Sequence, residues 1–205
     1  MNMSAERQTI RVYIAPIENY KENLILPEYA QLRIAKMGNE RKKREKAAGY
    51  GLLQYAIGDM GINAGVRDCF LTETGKPVHN DFAFSITHAD GVVAVAVSDS
   101  GSVGVDIEPK NNEVRTDKLL DKIITSEEKY DNSLVLWTKK EACFKYMGKE
   151  RIFTPKIINT EELNTKSIAF KMDNKDFVLS LAGNNNFEAR FLFLSDEAQL
   201  INECM

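Results

Sequence analysis

The stretch Val103-Gly104-Val105-Asp106-Ile107-Glu108 alternates strictly, with Val103, Val105 and Ile107 set against Gly104, Asp106 and Glu108. Side chains of a strand leave by alternate faces, so the apolar trio meets a core and both carboxylates leave by the other face. A slip of one residue would bury both charges, which pins the register. Gly104 removes bulk beside the acids. Further along, in Trp137-Thr138-Lys139-Lys140-Glu141-Ala142-Cys143-Phe144-Lys145, Glu141 and Lys145 lie one helical turn apart on one face. Taken singly, each half has a plain reading: a solvated strand face, and a surface pair worth about 0.2–0.5 kcal/mol. Taken together, three carboxylates and one amine suit a hard cation holding a phosphate, with oxygen ligands for Mg²⁺ and a point charge for phosphoryl oxygens. Trp137 and Phe144 make the helix face partly apolar and turn it inward. Lys139 and Lys140 fall on other faces and read as solvated.

Upstream, Ile10, Val12 and Ile14 alternate with Arg11 and Tyr13, a half-buried strand that Pro16 ends. A helix follows Pro27 with Leu32, Ile34 and Ala35 inward, and Gly38-Asn39 reads as a stop and restart. The segment from Glu40 to Met60 opens with five basic residues and one acidic, Arg41 to Lys46, and continues with the apolar stripe Leu52, Leu53, Ala56, Ile57. Gly49 and Gly51 each weaken that helix by about 1 kcal/mol relative to Ala. A close approach of another element there is one explanation. Phe82, Phe84 and Ile86 alternate as a strand. Val92 to Val97 is apolar on both faces and reads as a buried strand, and Asp99-Ser100-Gly101 is a turn.

Downstream of the acidic strand, Thr125 to Glu128 has capping-box spacing and is expected to start a helix. Asn132 or Ser133 caps the Lys-Glu helix and Gly148 closes it. Three C-terminal strands are expected, the first at Ser167 to Met172 and the last at Phe187 to Leu194, with turns at Asp173-Asn174-Lys175 and Gly183-Asn184-Asn185. The chain thus reads helices then strands, twice, without a sequence repeat or a low-complexity tract.

The 205 residues carry a formal net charge of −3, with 43% hydrophobic and 28% charged residues. That length suits one large domain or two small ones. The near-neutral charge gives no reason to expect a nucleic-acid partner. Cys69, Cys143 and Cys204 are odd in number and lack CxxC spacing, as reduced thiols do. No apolar run approaches the roughly 20 residues that span a bilayer, and Met1 to Arg11 has no signal-peptide core. A soluble cytoplasmic protein, not associated with membranes, is expected.

The two segments together resemble the signature of the 4′-phosphopantetheinyl transferases, an (I/V)-G-(I/V)-D-x-E strand followed by (F/W)-x-x-K-E-(A/S)-x-x-K. Val103 to Glu108 matches the first part, and Trp137, Lys140, Glu141, Ala142 and Lys145 match the second. Two further family elements stand upstream in the right order. Ser85-Ile86-Thr87-His88 resembles an S-x-S-H strand end, and Gly75-Lys76-Pro77 resembles a G-K-P turn. The Trp and Lys-Glu-Ala form is similar to the branch serving modular peptide and polyketide synthases.

The resemblance implies an α+β fold of two similar halves, a pseudodimer of antiparallel sheets with packed helices. The halves are 1–101, for coenzyme A contacts, and 102–205, for the metal ligands and catalytic helix, with the active site between them. It implies Mg²⁺ held by Asp106, Glu108 and Glu141, with coenzyme A as co-substrate. Glu141 is also the candidate general base. Lys145 would hold the pyrophosphate, and His88 and Thr87 would contact phosphate, Thr87 standing where the family commonly has Ser. Trp137 would be packing that orients the helix. Lys76 would approach the coenzyme's adenine and phosphates, and the family's basic residues for the 3′-phosphate fall near Lys36, Arg41 and Arg44.

The implied partner is an apo acyl or peptidyl carrier protein with an acidic helix, met by basic residues near Arg41 or by Lys139 and Lys140. A monomer is implied too. His79 has no assigned role. Besides a purely structural interaction domain, which would leave the clustered carboxylates unexplained, two rivals stand beside this reading. One is a non-catalytic descendant that binds coenzyme A or a carrier. The other is a different Mg²⁺-dependent phosphoryl transferase, which would be expected to carry a GxxxxGK(S/T) or GxGxxG loop that this chain lacks.

Overall fold

The computed structural model describes residues 8–19, 25–125, 128–130, 132–148, 152–184, 186–196 and 198–204. The first part of the chain forms strand β1 (Thr9–Pro16), helices α1 (Glu28–Ala35) and α2 (Glu40–Asp59), a short pair β2 (Phe70–Leu71) and β3 (Pro77–Val78), and the hairpin β4 (Ala83–Ala89) with β5 (Val92–Ser98). The second part forms β6 (Gly104–Pro109), α3 (Glu113–Ile123), α4 (Ser133–Met147) and the hairpin β7 (Asn164–Met172) with β8 (Lys175–Gly183). Strands β9 (Glu188–Phe193) and β10 (Gln199–Cys204) follow. The protein is α+β.

Two sheets share one connectivity. In the first, ordered β4-β5-β1-β9, the second hairpin strand lies antiparallel beside the opening strand; in the second, ordered β10-β7-β8-β6, the same holds. Each hairpin closes on two residues of positive φ, Asp90-Gly91 at 44° and 92° and Asp173-Asn174 at 49° and 61°. That is the turn whose twist matches the flanking strands. The outer strands break the pattern. β9, expected only as a third C-terminal strand, leaves its neighbours and pairs parallel with β1 in the first sheet, while a fourth strand, β10, pairs antiparallel with β7.

The sheets face each other across a core of Ile10, Val12, Val92, Ala94 and Ala96 against Val105, Ile107, Phe170, Leu179 and Leu181. The opposite face of the first sheet, Val93, Val95 and Val97, packs on Leu52, Leu53, Ala56 and Ile57 of α2. β5 is therefore covered on both sides, which is why it reads as an unbroken apolar run. At Gly49 the helix lies close against β4, since a Cβ there would lie 2.6 Å from Ile86 Cγ2. In α1 the buried residue is Ala30, and Leu32 is exposed, against expectation. Among the described residues no helix is long and apolar enough to cross a membrane.

The ends of α4 follow the sequence signals. Asn132 Oδ1 accepts the N–H groups of Leu134 and Val135 at 2.8 and 3.1 Å, and Gly148 ends the helix with φ 59°. The Thr125–Glu128 signal is different. The Thr125 N–H does donate to Glu128 Oε2 at 2.9 Å, but residues 128–130 are not helical, and the helix in this region is α3, which ends before the signal. Ser126 and Glu127 lie outside the described residues.

Candidate active site

Strand β6 and helix α4 meet backbone to backbone. A Cβ on Gly104 would stand 2.0 Å from the Ala142 carbonyl oxygen and 2.5 Å from the Tyr146 nitrogen. Gly104 thus does more than clear space beside the acids, because only a residue without a side chain lets the helix seat here. The inward face of β6 points to the core between the sheets, so Asp106 and Glu108 are left facing α4. The seated helix carries Glu141 and Lys145 to them.

One ligand oxygen from each of Asp106, Glu108 and Glu141 falls within 4.8 Å of the others. Lys145 Nζ donates to Asp106 Oδ1 at 2.7 Å and to the Val105 carbonyl at 3.0 Å. Its partner is therefore the strand carboxylate rather than Glu141 on its own helix. Thr87 Oγ1 donates to the same Asp106 oxygen at 3.1 Å. Asp106 Oδ2 is buried and has no hydrogen-bond partner among the described residues. Glu108 accepts from Asn112 Nδ2 at 2.5 Å. Burial pushes the Glu108 carboxyl upward, Asn112 and the Trp137 indole hold it down, and Asp106 adds to the rise.

Burial first, then the charge of Asp106, pushes the Glu141 carboxyl up to about 7. Crowded, partly desolvated carboxylates repel one another, and a cation offsets that cost. An all-oxygen set with one orphaned carboxylate oxygen fits Mg²⁺, which takes few protein ligands and shares the remainder with water and phosphate.

Beside this cluster runs a cleft of about 320 Å³ between the two sheets' helices, lined by Lys46 and Tyr50 of α2, Lys76, His88 at the end of β4, and Phe144 and Lys145 of α4 among others. Lys76, His88 and Lys145 are thus brought together on one cleft. His88, 40% exposed, lies 3.6 Å from Glu45 Oε2; partial burial lowers its pKa and Glu45 opposes that. Thr87 is committed to Asp106 and does not line the cleft. Nor do Lys36, Arg41 and Arg44: Arg41 is paired with Glu45 at 2.8 Å and lies 3.7 Å from Asp90, and Lys36 and Arg44 are exposed.

Lys46 is the basic residue of this cluster that turns inward. Its spacing to Tyr50 and Leu53, at i+4 and i+7, places it on the apolar stripe of α2, a signal present in the sequence. Burial lowers its pKa, as it lowers that of Lys76 to about 8.

Lys140 corrects an expectation. Its side chain is fully buried and its ammonium donates to Glu128 Oε2 at 2.6 Å and to the carbonyls of Ile158 and Pro155 at 2.6 and 3.1 Å. It lies on the inward stripe Leu136-Lys140-Cys143 and is neither solvated nor open to a partner. Glu128 also accepts from the Thr160 N–H and hydroxyl. Burial raises the Glu128 pKa, but Lys140 and these donors outweigh it and the net shift is downward. Trp137 packs edge-on against Phe153, with ring centroids 5.4 Å apart. His79 stacks on Phe82 at 4.4 Å.

No curated protein matches the chain. The segment that contributes Asp106, Glu108, Glu141 and Lys145, residues 102–189, matches the family model of the 4′-phosphopantetheinyl transferase superfamily.

Proposed function

We propose that this protein transfers the 4′-phosphopantetheine group of coenzyme A to a serine hydroxyl of an apo acyl or peptidyl carrier protein, releasing 3′,5′-ADP. The observation that carries the reading is the cluster of Asp106, Glu108 and Glu141 within 4.8 Å, with Lys145 between it and the cleft. Mg²⁺ bound by these three carboxylates would neutralise charge on the pyrophosphate.

Lys145 stabilises the developing negative charge on the transferred phosphoryl group, and His88 contacts phosphate from the opposite wall. The serine oxygen forms a bond to the β-phosphorus as the bond from that phosphorus to the bridging oxygen breaks. The electron pair leaves on the 5′-phosphate of ADP. Glu141 accepts the serine proton at a carboxylate oxygen. Thr87 holds Asp106 in place. The nucleophile comes from the partner, so no Ser-His-Asp or Cys-His arrangement is needed.

Lys46 faces the coenzyme, with Arg41 and Arg44 as outer contacts along the same helix. We assign residues 1–101 to coenzyme binding and 102–205 to catalysis, in a cytoplasmic monomer built as a pseudodimer. The test is intact-mass analysis of fatty-acid and peptide-synthase apo carriers incubated with the protein, coenzyme A and Mg²⁺. A mass gain of one phosphopantetheine group is expected. No gain on any carrier, with coenzyme A still bound, would replace this reading by the binding-only one.

A further inference from the structure

The last carbonyls of an α-helix have no partner within the helix. At the C-terminus of α4 they are met by side chains from both halves of the molecule. Lys76 Nζ donates to the Tyr146 carbonyl at 3.1 Å and to Ser102 Oγ at 3.2 Å, and Ser102 Oγ donates to the same Tyr146 carbonyl at 2.9 Å. Thr74 Oγ1 donates to the Gly148 carbonyl at 2.5 Å.

The turn that supplies Thr74 and Lys76 is tied to itself. The Thr72 N–H donates to the Lys76 carbonyl at 2.9 Å, the Gly75 N–H to the Thr72 carbonyl at 2.9 Å, and the Lys76 N–H to Thr72 Oγ1 at 3.1 Å. The fit is close, since a Cβ on Gly148 would lie 2.5 Å from Lys76 Cδ. A cation at this end also opposes the negative pole of the helix dipole.

We infer that Lys76 is a positioning residue. With Ser102 and Thr74 it clamps the C-terminus of α4 and so sets where Glu141 and Lys145 stand against Asp106. Its ammonium is occupied by helix carbonyl and hydroxyl oxygens, which leaves the coenzyme-facing role in the cleft to Lys46 and His88. The effect on transfer rests on the function proposed above; the clamp itself does not.

The experiment compares wild type, Lys76→Met, Lys76→Arg, Ser102→Ala and Lys46→Met as full chains. Amide exchange in residues 143–148, with α2 as internal reference, should rise roughly tenfold or more in Lys76→Met and less in Ser102→Ala. Lys76→Arg, which keeps a cationic donor, should restore most of the protection.

In transfer assays Lys76→Met should lower kcat about tenfold or more with KM for coenzyme A within about twofold, and Lys46→Met should chiefly raise KM. Unchanged exchange in α4 with a raised KM alone would overturn the clamp and make Lys76 a coenzyme contact. A wild type that transfers nothing would overturn the functional reading instead, and the exchange comparison would then decide the clamp by itself.

Discussion

Gly104 and Ala142 touch through their backbones: the Cβ that Gly104 lacks would lie 2.0 Å from the Ala142 carbonyl oxygen. The placement of Glu141 and Lys145 opposite Asp106 depends on that contact. Gly104→Ala should force α4 off β6, costing about 3 kcal/mol of stability, at the upper end for overpacking because both sides are backbone. Metal binding should be lost with it. Urea unfolding monitored by circular dichroism checks this, and wild-type stability in the variant would mean that the helix is not seated as described.

Asp106 joins Lys145, Thr87 and the proposed metal. Asp106→Ala should reduce transfer on the order of a thousandfold, as loss of a major charge-stabilising group does, with the far-ultraviolet spectrum unchanged. A fully active Asp106→Ala protein would remove the metal assignment.

Lys145 and Lys139 separate the site from the helix surface. Lys145 Nζ stands 2.7 Å from Asp106, whereas Lys139 lies on a different face and borders another groove. Lys145→Ala should slow carrier modification about a hundredfold or more, and Lys139→Ala by less than about threefold. Equal effects would point to a surface role for both.

Lys140 is paired with Glu128 in the interior, both side chains having no exposure. Removing one partner leaves a buried charge, so Lys140→Met should cost about 3–5 kcal/mol, a fall of roughly 10 °C in Tm for a chain of this size. The Glu128 carboxyl titrates below its unfolded value of 4.5. Its stabilisation is therefore complete above that pH and is lost as pH falls through the lower folded value. Acid titration of wild type should show this loss, and Lys140→Met should flatten it.

Glu141 titrates near 7 without metal. Below that pH it holds a proton that Mg²⁺ must displace, so apparent affinity should rise about tenfold per pH unit up to about 7 and level off above. Thermal shifts with millimolar Mg²⁺ at about pH 6 and 8 should differ accordingly. A pH-independent shift would exclude Glu141 as a ligand.

Much of the site was legible because its signals are local. A period of two puts Asp106 and Glu108 on one strand face, and a spacing of four puts Glu141 and Lys145 on one helix face. Asn132 and Gly148 mark the ends of that helix by their own side-chain and backbone preferences, and the turn at Asp173-Asn174 does the same for the second hairpin. Lys140 could have been placed from Leu136 and Cys143 on the same stripe, and Lys46 from Tyr50 and Leu53. In each case charge outweighed periodicity in the reading.

What the amino-acid sequence by itself determined is the set of elements and the faces on which their charges lie, since both depend on neighbours a few residues apart. Only the tertiary structure decided the partners. Lys145 bonds to Asp106 instead of Glu141, Lys140 takes Glu128 as its partner, Lys76 meets the end of α4, and β9 returns to lie beside β1. Each of these joins residues far apart in the chain. Such pairings are chosen by which apolar faces the sheets and helices must bury together, a competition that no local pattern records.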